Sequence, residues 1–98
     1  MKINISGLNK HFENRVRLGI MSILAVNDFY DFNSLKGTLG VTDGNLASHL
    51  KALEENGLIK SSKQFIGRKP NTSYYATESG RQKFNAHLKA LEDIIKSK

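Results

Sequence analysis

Apolar residues recur along most of this chain at three- and four-residue intervals, and the intervals break at a few well-marked places. From about Lys10 to Val26, the residues Phe12, Val16, Ile20, Ile23 and Leu24 fall on one helical stripe. Leu18 and Met21 lie off that stripe, so the pattern predicts a first helix covered on more than one side, by the core or by a partner chain. Asn27 and Asp28 end it. The aromatic stretch FYDF at 29–32 fits a small edge strand or the approach to a second helix. The second helix is expected from Asn33 to Leu39, stopping at Gly40, which suits a left-handed C-terminal cap. After Val41, Thr42 offers its hydroxyl as N-cap to a third helix that reaches Asn56. Two short helices joined by a tight glycine-containing turn are the local signature of a helix-turn-helix, here over about 33–56.

In the third helix Leu46, Leu50 and Leu53 stand at i, i+4 and i+7 and face the core. Gly44, Ser48, Lys51 and Glu55 lie opposite, with Asn45 and Ala52 beside them. The outward face near the N-terminus is therefore small and polar, the kind of surface that can sink into a groove and bond to base edges or phosphates. Beyond Asn56 and Gly57 the period changes from helical to alternating. Leu58 to Ile66 reads as a strand, residues 67–71 as its turn, and Thr72 to Ala76 as the returning strand. Tyr74 and Ala76 share one face of that strand and Tyr75 takes the other. Thr77 can cap a last helix over about 78–96, whose stripe is Phe84, Leu88, Leu91 and Ile95, widened by His87 and Ile94. The expected architecture is α+β but mostly α, a single domain over 1–98 with a hairpin over about 58–76.

Charge changes the picture through its position more than its total. Fifteen Lys and Arg against nine Asp and Glu give a formal charge of +6. Between Glu55 and Glu78 there is no acid at all, while Lys60, Lys63, Arg68 and Lys69 fall in that gap, the last pair at the hairpin tip. A positive field with no internal neutralisation attracts a polyanion, either nucleic acid or an anionic membrane. The absence of cysteine excludes disulfides and thiolate metal sites. The longest apolar run, Leu18 to Val26, is interrupted by Gly19 and Ser22 and falls far short of the ~20 residues a membrane span needs. The first residues lack the apolar stretch of a signal peptide. The expectation is a cytoplasmic protein that does not engage membranes.

Three segments carry a family resemblance: VTDGNLASHLKALEENGLIK (41–60), GRKPNTSYYATESGRQKF (67–84) and NRVRLGIMSIL (14–24). In this order they resemble the compact winged helix-turn-helix transcriptional regulators related to the MarR and ArsR groups. The resemblance implies a three-helix core, a two-stranded β-wing and a C-terminal dimerisation helix, and a homodimer that binds double-stranded DNA to repress or activate transcription. It implies a DNA-facing role for Ala47 and Ser48 within LASHL, and for Arg68 and Lys69 at the wing tip. The expected recognition-helix contacts are Thr42, Asp43, Gly44, Asn45, Ala47, Ser48 and Lys51. Those of the wing are Lys60, Lys63, Arg68, Lys69 and Asn71. The expected dimer interface is Phe12, Val16, Ile20, Phe84, Leu88, Leu91 and Ile95. Two family properties do not carry over. There are no cysteines to sense a metal, and the terminal helices are hardly longer than the DNA-reading domain needs, so no phenolic-ligand pocket is implied.

Other chemistries find no footing. His11, His49 and His87 fall on separate helices without a second donor at i+3 or i+4, so no metal site and no cofactor is expected. Glu54 with Glu55, and Glu92 with Asp93, are adjacent pairs whose side chains diverge on a helix. The segment GVTDG lacks the spacing and the lysine of a phosphate loop. An enzyme is not expected. The alternative from another class is a winged-helix module that binds protein without touching DNA. RNA or single-stranded DNA binding would want exposed aromatics for base stacking, and Tyr75 alone speaks for that.

Overall fold

The computed structural model describes residues 3–96. A 3-10 turn (Lys10–Phe12) is followed by α1 (Arg15–Val26), β1 (Tyr30–Asp31), α2 (Phe32–Leu39), α3 (Asp43–Glu55), β2 (Ile59–Ile66), β3 (Lys69–Ala76) and α4 (Glu78–Lys96). The first helix is thus not continuous from Lys10. The Asn14 side chain accepts from the backbone N–H groups of Val16 at 2.9 Å and Arg17 at 3.2 Å, and so starts a new helix rather than continuing the old turn. The break swings Phe12 onto Phe84, ring edge to ring face, with centroids 5.3 Å apart.

The helix-turn-helix forms where the sequence signals it. Asp31 caps α2 by accepting from Ser34 N–H at 3.0 Å. Gly40 takes the left-handed conformation at φ 65° and donates to Lys36 O, closing α2. Thr42 then caps α3, its hydroxyl accepting from Asn45 N–H at 3.2 Å. Leu46, Leu50 and Leu53 are fully buried, joining Ile20, Met21, Leu24, Leu35, Leu58, Ile59 and Phe84 in one core. Each such side chain contributes roughly 1.5–3 kcal/mol by leaving water.

The sheet has three antiparallel strands in the order β1-β3-β2 rather than two. Tyr30 stands opposite Tyr74 and Asp31 opposite Ser73, so the aromatic stretch at 29–32 is both an edge strand and the start of α2. The hairpin is longer and its turn shorter than the sequence suggested. Ile66 pairs with Lys69, leaving Gly67 and Arg68 as a two-residue turn, with Pro70 and Asn71 inside β3. Gly67 has φ 65°, as the first central position of a type II′ turn requires.

The root of α4 is built tightly. Thr77 Oγ1 donates to Gly57 O at 2.7 Å and accepts from Gly80 N–H at 2.9 Å. Gly80 lies so close to the Leu58 carbonyl that any side chain there would overlap it. Further along, the N-terminal segment packs against α4. Asn9 N–H donates to His87 Nδ1 at 2.9 Å, and Gly7 sits beside Ala90. These contacts correct part of the expected dimer interface. Phe12, Ile20 and Phe84 are buried inside their own chain, because the broken first helix and the N-terminal segment cover that side of α4. Val16 packs against the same core, whereas Leu88 and Ile95 are exposed at 43% and 71% and Leu91 is half-buried.

Candidate nucleic-acid interface

Burying three leucines turns the opposite side of α3 outward. Thr42, Asp43, Gly44, Asn45, Ala47, Ser48 and Lys51 are all exposed, and none before Lys51 is larger than asparagine. Nothing lies within 4 Å of where a side chain on Gly44 would begin. The one acid among them, Asp43, is paired with Lys36 of α2 at 2.7 Å. The helix dipole adds partial positive charge at this same end. The other end is tied to the hairpin, where Ser61 Oγ donates to Glu54 at 2.8 Å. Burial and the nearby Glu54 raise the pKa of Tyr74, keeping that hydroxyl protonated at the join.

The strand register sorts the wing. Ser61 faces Tyr74, Lys63 faces Thr72 and Phe65 faces Pro70, all on the side of the hairpin that meets α3. Lys60 opposite Tyr75, Asn71 opposite Gln64, and Lys69 opposite Ile66 alternate onto the other side. Arg68 stands in the turn between them. The five wing residues singled out by sequence therefore do not form one patch. Lys63 shares the α3 side, Arg68 caps the tip, and Lys60 sits across the sheet near its base. Among the described residues Lys51, Lys60, Lys63, Arg68 and Lys69 are in no ion pair, so their charge is not offset locally.

Sequence reasoning passed over a second group of cations. Asn14, Arg15 and Val16 of the α1 start line an open groove of about 410 Å³ with Thr42, Asn45 and His49 of α3. Arg17 Nε donates to His49 Nδ1 at 3.1 Å, which fixes the proton of neutral His49 on Nε2. Partial burial, and then the Arg17 charge, lower the pKa of His49 and favour that neutral form. The available signal was the acid-free NRVR at the start of α1, but only the fold brings it to the leading turn of α3. The three histidines remain on separate elements, and among the described residues no three potential donors converge as a metal would need. Nor is any described helix long and apolar enough to cross a membrane.

Residues 16–95 match the family model of a winged helix DNA-binding domain. The chain belongs to that family. An uncharacterized protein of Methanocaldococcus jannaschii is 35% identical over 88 residues, covering 90% of this chain and 96% of the relative. Among solved structures, a transcriptional regulator homologue from Pyrococcus horikoshii is 36% identical with a TM-score of 0.81, over 88% of this chain and 85% of that one. YodB from Bacillus subtilis, at 17% identity, shares the fold with a TM-score of 0.77 over 89% and 85% of the two chains. As a winged-helix domain, the molecule has α2 and α3 as its helix-turn-helix and β2-β3 as its wing.

Proposed function

We propose that this winged-helix protein is a homodimeric transcriptional regulator that reads double-stranded DNA in a sequence-specific way. The N-terminal half of α3 enters the major groove, where Asn45, Ala47, Ser48 and Lys51 meet base edges and Thr42 and Gly44 let the backbone come close. Asp43, held by Lys36, sets the approach of the first turn. Lys63 and Arg68, with Lys60 and Lys69 on the other side of the hairpin, neutralise phosphates, as do Arg15 and Arg17 beside the α3 start, and Asn71 offers its amide to one. The observation that carries this reading is a small, exposed leading face on α3 placed next to an acid-free hairpin whose cations are in no ion pair among the described residues. The Pyrococcus horikoshii relative, similar over most of both chains, supports a regulatory role.

The second copy docks on α4. Leu88 and Ile95 are exposed there, and Ile3 and Ile5 of the segment packed beside that helix are exposed as well. Two recognition helices related by a two-fold axis should meet half-sites about one DNA turn apart, ~34 Å. Selection of bound fragments from random duplex DNA tests the reading. An inverted repeat with half-sites about 10 base pairs apart is expected. Failure to enrich any duplex would rule out sequence reading, and a single unrepeated half-site would rule out the dimer.

A further inference from the structure

Phe65 and Ile66 end β2 and are exposed at 69% and 66%, although neither supports the core. The pairing of the hairpin explains how Phe65 is held. Ile66 and Lys69 flank the two-residue turn as its hydrogen-bonded pair, so Phe65 and Pro70 form the next, non-hydrogen-bonded pair. Side chains approach most closely in such pairs, with Cα atoms about 4.5 Å apart. The N–H that Pro70 lacks would have pointed away from β2, beyond the end of the two-residue β1, so no ladder bond is lost. Proline thus backs the Phe65 ring with a rigid apolar surface at no expense to the sheet.

This apolar pair sits on the side of the wing shared by Lys63 and Ser61, the latter bonded to α3. Lys63 lies beside it on that side, Arg68 stands at the tip and Lys69 is on the opposite face, and residues 56–77 contain no acid. A second copy of the same tip would meet it with like charge, which disfavours self-association here. A nucleic-acid groove suits both parts: cations reach the phosphates on either rim while the apolar ridge meets sugars and a base step.

We propose that the Phe65–Pro70 pair is a wedge that enters the DNA minor groove next to the α3 half-site and partly unstacks one base step. The inference rests on the DNA-binding reading above and adds to it a specificity element without hydrogen bonds. Pyrimidine–purine steps, above all TA, unstack most readily, so the wing selects a deformable step at a fixed offset from the sequence that α3 reads.

The test uses the full chain and a 30-base-pair alternating A·T duplex carrying 2-aminopurine at its TA steps, whose fluorescence rises on unstacking. At low salt the wild-type protein should bind and raise the fluorescence. Phe65→Ala should bind roughly 5- to 50-fold more weakly, with an unchanged salt slope and no fluorescence rise at saturation. Arg68→Ala with Lys69→Ala should flatten the salt slope yet keep the rise at saturation. Phe65 is exposed, so its variant should keep the wild-type melting midpoint. A Phe65→Ala protein that binds and brightens the duplex as wild type does would overturn the wedge and leave DNA binding intact. A Phe65→Ala protein that instead alters sedimentation would assign the tip to a partner copy and also overturn it. Wild-type protein that binds no duplex at all would remove the DNA reading itself, and the wedge with it.

Discussion

Helices α3 and α4 carry apolar stripes of similar spacing, yet they end in different environments. In α3 all three leucines are fully buried by the chain's own core. In α4 the first part of the stripe is covered, with Gly80, Phe84 and His87 buried, and the later part only partly, with Leu91 half-buried and Leu88 and Ile95 exposed. A helix that needs only its own chain leaves its opposite face free for a ligand. A helix whose stripe runs past the core has apolar surface to bury against something else. The contrast agrees with the proposal that α3 reads DNA and the distal half of α4 meets a second copy.

Substitutions can break that contrast, and they rank by effect on the fold. Leu50→Ala in α3 should remove about 2–5 kcal/mol of stability, seen as a large drop in melting temperature. Gly80→Ala, at the root of α4, should cost about 1–3 kcal/mol, because the added methyl overlaps the Leu58 carbonyl and the docked helix must shift. Leu88→Asp with Ile95→Asp should change monomer stability by no more than about 0.5 kcal/mol, since both sites are exposed, yet produce a monomer at micromolar concentration by sedimentation. Loss of stability comparable to Leu50→Ala would return the distal half of α4 to the intrachain core.

A pH scan sharpens the covered half of α4. Burial lowers the pKa of His87, with Glu13 opposing part of that shift, and its Nδ1 must stay unprotonated to accept from Asn9 N–H. The folded pKa is below the unfolded one, so the contribution is complete above the usual histidine value and fades as pH falls through the folded value. Melting temperature should therefore hold above pH of about 6.5 and decline below it. His87→Gln should shrink that decline without abolishing it, because the pKa of His49 is lowered too. An identical decline in the variant would show that His87 does not anchor the N-terminal segment.

Much of this was legible along the chain because the deciding forces are local. Thr42 as N-cap, Gly40 in the left-handed region and the spacing of Leu46, Leu50 and Leu53 each depend on neighbours within a turn or two. What escaped depends on distant partners. The strand partner of the stretch at 29–32 is set by Ser73 and Tyr74, and Gly80 matters only because Leu58 lies against it. The wing turn is shorter than 67–71 because Pro70, in a non-hydrogen-bonded pair, sits in the strand without the loss of a ladder bond. The helical stripe marked Phe12, Ile20 and Phe84 as apolar-facing but could not tell the chain's own core from a partner. For the site, the helical spacing of Leu46, Leu50 and Leu53 marks which face of α3 turns outward, while the split of Lys60 and Lys63 across the sheet required the register.

The salt dependence of duplex binding tests the central claim most directly. With the six cations Arg15, Arg17, Lys60, Lys63, Arg68 and Lys69 of each subunit of a dimer on phosphates, log K should fall against log salt with a slope of about −11. Replacing Arg68 and Lys69 by alanine in both subunits should bring it closer to zero by about 3 to 4. A slope near zero for the wild-type protein, or no shift of any duplex at low salt, would contradict the account.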